Sequence, residues 1–260
     1  SIAPFRMGLS ATVERADGGE KILYELLGPK VYEGLITDLV SKSLAPYDVV
    51  NIEVELNDQE KQLYQQKRNI YLNFIRQKRI DFSQSNGWQQ FIIQASRSPQ
   101  GKNALEAFYK QKKIAQNAEG KLIRLWEILN HHPLDHLIIF TDNNELAYKI
   151  GRDFCLPVIT HKTKLKERKT FLEYFRSNVL RVLVTSKVLN EGVDVPSASV
   201  GVVISGSGAV REHVQRLGRI LRNAPGKRAV LYELVAKSTS EKYVNERRKQ
   251  HHAYQKPSTI

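Results

Sequence analysis

From residue 136 to residue 235 the chain repeats one pattern, in which short apolar runs alternate with segments of helical spacing. The runs are HLIIFT (136–141), PVITH (157–161), RVLVTS (181–186), ASVGVVIS (198–205) and RAVLYELV (228–235). Each predicts a strand, and helices are expected near 143–153, near 165–176 and between the last two runs. Short apolar strands alternating with helices form a parallel sheet covered on both faces. The β-α-β-α-β order recurs at about the length of one crossover unit. The expected fold class is therefore α/β.

Upstream the texture differs. EKILYELLG (20–28) places Ile22, Leu23, Leu26 and Leu27 at helical spacing and stops on Gly28. VVNIEVEL alternates Val50, Ile52, Val54 and Leu56, the pattern of a half-buried strand. Residues 58–118 are rich in Gln, Lys and Tyr, with helical pieces predicted around 58–78, 87–97 and 101–117 and Asp58 as the first N-cap. From 60 to 80 the charges are Lys61, Lys67, Arg68, Arg76, Lys78 and Arg79 against Glu60 alone, which predicts a basic helical insertion. Its aromatics Tyr64, Tyr71, Phe74, Trp88 and Phe91 could stack on bases, but at helical spacing they fit better as a small core of the insertion's own. KLIRLWEILN then sets Leu122, Leu125, Trp126 and Leu129 on one helical face.

Lys and Arg total 40 against 27 Asp and Glu, a net charge of +13. Such an excess favours nucleic acid, an anionic surface or phosphorylated ligands. No run of 18 apolar residues is present to span a membrane. The lone Cys155 cannot form an internal disulfide; it fits a reducing compartment and reads as a small buried hydrophobe beside Phe154 and Leu156. His131, His132 and His136 match no closed zinc spacing and read as a helix-end cluster beside Pro133. SGSG (205–208) lacks the lysine of a phosphate loop and reads as a turn.

Two segments carry the candidate chemistry. On a wheel of about 100° per residue, Val210, Val214, Leu217 and Leu221 form one seam, and Gln215, Arg219 and Arg222 form an edge nearly opposite it. Guanidinium forks on such an edge suit phosphate oxygens; a solvated face is the competing reading. Gly218 costs helix stability, about 1 kcal/mol against alanine, which a close approach would explain. The second segment, TSKVLNEGVDVP (185–196), follows a strand and presents Asp194 between two valines. In a parallel sheet both segments reach the carboxyl ends of neighbouring strands, where ligands bind.

With these residues in place, the order GLSAT (8–12), LIIFT (137–141), VLVTSKVLNEGVDVP (182–196) and QRLGRILR (215–222) resembles superfamily 2 helicases, whose motifs III, IV, V and VI it matches in sequence. Motif VI lacks the histidine and second glycine of DEAD-box proteins. The likeness is closer to XPB-type DNA helicases, especially compact archaeal and bacterial forms, and spans roughly residues 1–245. It implies a RecA-like lobe with a parallel central sheet flanked by helices, plus a thumb-like helical insertion. By that resemblance residues 1–46 end the first motor lobe and its linker, and 47–57 open the second lobe. Residues 58–118 are the thumb, 119–245 the rest of that lobe, and 246–260 a basic tail.

The resemblance also assigns roles. Arg219 and Arg222 correspond to the arginines that reach the γ-phosphate, with Arg222 as the finger, and Gln215 to a contact with the opposite lobe. Glu191, Gly192 and Asp194 correspond to the segment coupling nucleotide to nucleic acid. Ser10, Ala11 and Thr12 correspond to the relay between lobes. Nucleic-acid contact falls to Arg15, Asp17, Thr141, His161 and Thr185, and on the thumb to Lys67, Arg68, Arg76, Lys78 and Arg79. Arg15-Ala16-Asp17 stands where XPB proteins carry Arg-Glu-Asp, which bears on strand opening more than on ATP use. Neither GxxxxGK[ST] nor DExH occurs, so the chain is expected to be part of a longer protein, hold half of an ATP–Mg2+ site and not hydrolyse ATP alone. The implied partners are DNA, the chain's own N-terminal motor lobe and, by analogy with compact relatives, a nuclease, in a cytoplasmic or nucleoid setting. Two rivals stand beside this reading, a non-catalytic DNA-binding or docking module and an RNA-dependent ATPase.

Overall fold

Six strands form one sheet, and every pairing in it is parallel. The structure is a computed structural model that describes residues 5–8, 20–32, 47–84, 86–186, 198–205 and 229–243. In chain order its elements are α1 (Glu20–Leu27), β1 (Tyr47–Val54), α2 (Asp58–Lys78), α3 (Gly87–Ser96), α4 (Pro99–Gln116), α5 (Glu119–His131) and β2 (Leu137–Thr141). These are followed by α6 (Asn144–Asp153), β3 (Val158–Ile159), α7 (Leu165–Arg176), β4 (Val182–Ser186), β5 (Val200–Val203) and β6 (Ala229–Ala236). The sheet order is β1-β6-β5-β2-β4-β3.

The apolar runs are continuous because both faces of the sheet are covered. Leu137 and Ile139 of β2 pack with Leu125 and Ile128 of α5 and Leu146 and Ile150 of α6. Ile138 and Phe140, pointing the other way, pack with Leu172 and Phe175 of α7. Alternate residues of one strand thus feed two cores. The α/β fold with a parallel sheet covered on both faces, expected from the alternating runs, is the one observed.

The insertion is three helices with a core of their own. Phe74, Ile80, Phe91, Ala95 and Ala104 are buried together, and Tyr71 and Phe108 pack against them. Tyr71 meets Phe91 edge-on at 5.4 Å between ring centroids, a favourable arrangement of ring quadrupoles. The core reading of the aromatics holds for Tyr71, Phe74 and Phe91; Tyr64 is buried instead against Ala115 of α4 and Ala236 of β6, and Trp88 is 41% exposed.

Three local expectations are corrected. The N-cap of α2 is Asn57, not Asp58: its side chain accepts from Glu60 N at 2.8 Å, and Glu60 accepts from Asn57 N at 3.0 Å, a reciprocal box that Asp58 cannot form. Trp126 is 60% exposed, because the buried seam of α5 runs through Lys121, Leu125 and Ile128 and leaves Trp126 about 100° away. Cys155 is exposed rather than buried. It takes φ 53°, closing α6 in a left-handed cap in which Leu156 N donates to Gly151 O at 2.8 Å. The cap turns the thiol outward. Gly151 is required here, because a Cβ would collide with the Val158 side chain.

Candidate functional site

The carboxyl ends of a parallel sheet leave backbone groups unpaired and helix N-termini converging, so ligands gather there. In this chain that rim is polar. β2 ends in Thr141 and leads, past the buried Asp142, to Asn143 and Asn144 at the start of α6; β4 ends in Thr185 and Ser186, the β3 turn begins with Thr160 and His161, and β5 runs on to Ser205. The parallel register sets Thr141 opposite Ser186 and Phe140 opposite Thr185, so the motif IV and motif V strands lie side by side.

Thr141 and Thr185 are 1% exposed. The Thr141 hydroxyl donates to Asn143 O at 3.0 Å, with Thr185 O at 3.3 Å, and the Thr185 hydroxyl donates to Ser186 O at 3.0 Å. Both side chains are committed to shaping the strand ends. Asn143 caps α6, accepting from Leu146 N at 2.8 Å. Asn144 accepts from the Ser186 hydroxyl, and its amide lies 3.1 Å from His161 Nδ1. With the Asn144 oxygen taken by Ser186, its NH2 donates to Nδ1, and the His161 proton then sits on Nε2. His161 is exposed, so that N–H is a donor offered to solvent or a phosphate oxygen.

The turn carrying His161 is braced. Thr160 N donates to Thr163 Oγ1 at 2.9 Å, Lys162 N to Thr160 Oγ1 at 3.1 Å, and Arg168 Nη2 to Thr160 O at 3.2 Å. The Tyr148 hydroxyl shares a bond of 2.8 Å with Thr160 Oγ1. Lys162, Lys164 and Lys166 are exposed on this turn and the start of α7. They add positive charge beside His161 and went unnoticed in the sequence, although the alternating lysines of THKTKLK were a legible signal. Asn144 and Ser186 were missed too, with no sequence signal beyond their place at strand ends.

The thumb cations are brought together less than their spacing promised. Lys67 and Arg68 are half-buried in mid-helix, and Arg68 Nη1 donates to the Tyr64 hydroxyl at 3.2 Å. Arg76, Lys78 and Arg79 are exposed at the far end of α2, about 14 Å or more along the helix from Lys67. Arg79 itself is the C-cap, at φ 51°. The histidine cluster is structural: His132 bonds Asp135 at 2.8 Å and the Tyr232 hydroxyl at 2.9 Å, and His136 lies against Phe175. Burial, aided by the Asp135 charge, pushes the Tyr232 hydroxyl up from its ordinary pKa.

Ser10, Ala11, Thr12, Arg15, Asp17, Glu191, Gly192, Asp194, Gln215, Arg219 and Arg222 lie outside the described residues, as does SGSG beyond Ser205. Among the described residues no group of three His, Cys, Asp or Glu could hold a metal ion, and no helix is long and apolar enough to cross a membrane.

Comparison with known proteins agrees with the motif order. The family model of the ERCC3/RAD25/XPB C-terminal helicase matches residues 122–256, just over half of the chain. The DNA 3'-5' translocase XPB2 of Sulfurisphaera tokodaii is 36% identical over 248 residues, covering 95% of this chain and 56% of that protein. The DNA 3'-5' helicase XPB of Mycobacterium tuberculosis is 29% identical over 90% of this chain and 36% of its own length. The chain thus spans about half, or less, of the relatives it matches. Among solved structures, the C-terminal part of the Fun30 ATPase domain superposes with a TM-score of 0.57 at 12% identity, over 79% of this chain and 90% of that one. That likeness speaks for the fold alone. A family model matched across more than half of the chain, on a parallel sheet that aligns the motif IV and V strands, shows that this protein belongs to the ERCC3/RAD25/XPB helicase family and carries its C-terminal helicase region.

Proposed function

We propose that this chain is the second motor lobe and thumb of an ATP-dependent DNA translocase or helicase. The observation that carries the reading is the match to the XPB C-terminal helicase over 122–256, on a sheet whose polar carboxyl end presents His161 beside cationic Lys162, Lys164 and Lys166. In this reading the rim takes the phosphate backbone of DNA. His161 Nε2–H and the lysines supply donors and charge, while Thr141, Asn144, Thr185 and Ser186 hold the rim in shape. Arg76, Lys78 and Arg79 add a second contact from the thumb, and Arg15 and Asp17 a third.

ATP binds between this lobe and the chain's own N-terminal lobe. Arg219 and Arg222 neutralise charge building on the γ-phosphoryl group as water attacks in line, with Arg222 as the finger. Gln215 holds the facing lobe, and Glu191, Gly192 and Asp194, with Ser10 and Thr12, link nucleotide state to DNA. Magnesium, when bound, would supply charge neutralisation at the phosphates, and in this reading it is held mainly by the other lobe. A nuclease or repair factor is a partner compatible with this role, and an intracellular, DNA-associated location follows from it.

The test is Arg222→Ala in the full-length protein, assayed for ATP turnover and for DNA binding. Turnover falls by a factor of about 10³ or more, and DNA affinity is retained. Unimpaired hydrolysis refutes the finger. Comparing single-stranded DNA with RNA as activator separates the DNA motor from an RNA-dependent ATPase, and absence of any DNA-stimulated turnover refutes the motor.

A further inference from the structure

The three-helix insertion meets the sheet through polar contacts that neither the motifs nor the family match explains. Its entry and exit are clamped to each other: Asn57 Nδ2 donates to Glu119 Oε2 at 3.0 Å, and Glu119 N donates to Glu60 Oε1 at 2.9 Å. Tyr64, buried against Ala115 and Ala236, accepts from Ser240 N at 2.8 Å just past β6. At the end of α4, Gln116 Nε2 donates to Asp142 Oδ2 at 3.0 Å, and Lys112 Nζ stands 3.5 Å from the same oxygen. Asp142 N in turn donates to Ser205 Oγ at 2.9 Å. Asp142 is only 8% exposed and Gln116 6%. A buried carboxylate is retained only where charged and hydrogen-bonding partners compensate its desolvation, and here they come from a different structural unit.

Asp142 therefore sits at a junction. Its backbone continues β2 directly after Thr141, its N–H ties it to the end of β5, and its side chain holds the last turn of α4. α2 and α4 run unbroken from these ties to the insertion's own core, and α2 has 21 residues, about 31 Å. Arg76, Lys78 and Arg79 stand at the far end of that length. A rotation of about 15°, the size of a modest rigid-body switch, would carry the end of a ~31 Å arm by about 8 Å. That is roughly two base steps of ~3.4 Å.

We infer that Asp142 is the positioning residue that locks the helical insertion to the sheet as a rigid arm, so that the cations at the end of α2 are displaced along DNA whenever this lobe turns. The inference rests on the proposed motor function. Asp142 is buried, with its carboxylate turned to Gln116 and Lys112 of the insertion, so in this inference it acts by converting lobe rotation into movement of the arm.

The experiment uses the full-length protein with spin labels on the exposed Cys155 and on Gln77→Cys near the end of α2, other cysteines being replaced. The inter-label distance distribution reads the rigidity of the arm, and triplex displacement per ATP hydrolysed reads the coupling. The expected result for Asp142→Ala is a broadened distribution and a loss of displacement per ATP of about fivefold or more, with DNA-stimulated ATP turnover unchanged. Should Asp142→Ala fail to fold, Lys112→Ala combined with Gln116→Ala removes the same tie from the α4 side and is expected to give the same split. An unbroadened distribution with unchanged displacement per ATP, in whichever variant folds, overturns the inference. Parallel loss of ATP turnover and displacement overturns it as well, since the arm would then not be the part that failed. A parent protein without DNA-stimulated turnover refutes the motor reading instead, and the distance distribution still reports whether Asp142 holds the arm.

Discussion

Lys121 is the sharpest place to test how this lobe is held together. It lies in the first turn of α5 on the seam that faces the sheet, and its side chain is 1% exposed. The ammonium donates to Ile204 O at 2.9 Å and to Glu241 Oε2 at 2.7 Å. The same Glu241 oxygen accepts from Ala236 N at 2.9 Å. Lys121 thus joins the helix after the insertion to the ends of β5 and β6. Lys121→Met keeps most of the aliphatic stem but removes the charge and its donors. Stranding one partner of a buried pair costs about 3–5 kcal/mol, a figure that already includes the uncompensated charge. Glu241 keeps 17% side-chain exposure and its bond from Ala236, which places the expected cost near the lower end, about 3 kcal/mol. For a chain of this size that corresponds to a fall in Tm of roughly 6–12 °C. Urea unfolding followed by circular dichroism checks the value. Adding Glu241→Gln to the Met variant removes the stranded charge and should restore at least ~1 kcal/mol. A cost below about 1 kcal/mol for Lys121→Met, or no recovery in the double variant, refutes the pair as a buried, energetically coupled contact.

Two further outcomes follow from local geometry. Cys155→Gly should raise stability by about 0.5–1 kcal/mol, since φ 53° costs a β-carbon residue more than the extra unfolded-state entropy of glycine; a lower thermal midpoint would contradict the cap assignment. Tyr71 is pushed up to about 12, chiefly by burial, with Arg68 opposing. Its folded value lies above the unfolded one near 10, so its contribution is intact below pH 10 and is lost as pH rises from 10 through 12. Ultraviolet phenolate titration of Tyr71→Phe against the parent shows this as the loss of one late-titrating tyrosine.

The strands were legible because their apolar runs are short, branched and bounded, and because alternate residues of each feed two covered faces. The N-cap of α2 was misplaced by one residue although the deciding signal was present. Asn57 and Asp58 are both cap-forming types, but only Asn57 has a glutamate three residues on, at Glu60, to complete a capping box. Cys155 could not be placed, since nothing in its own chemistry announces a left-handed position usually taken by glycine. The rim was half-legible. His161 followed from its place after a strand, whereas Asn144 and Ser186, which hold it, are ordinary polar residues until the register of β2 and β4 sets them together.

Polar ties between distant segments were the least legible features, for a physical reason. Gln116 and Asp142, Glu60 and Glu119, and Lys121 and Glu241 look like solvated residues in their own segments. Burial is what makes the Gln116–Asp142 and Lys121–Glu241 contacts strong, and burial depends on which segments meet. Lys121 shows how far the signal reaches. Its spacing to Leu125 and Ile128, at i+4 and i+7, places a cation on an apolar seam, and that pattern demands a compensating acid. It does not say which acid. Glu233 and Glu241 both lie downstream on or beside β6, and only the parallel order β5-β6 and the turn after Ala236 bring the Glu241 carboxylate to the ammonium. The seam therefore predicts a buried pair from sequence, while the identity of the partner belongs to the topology.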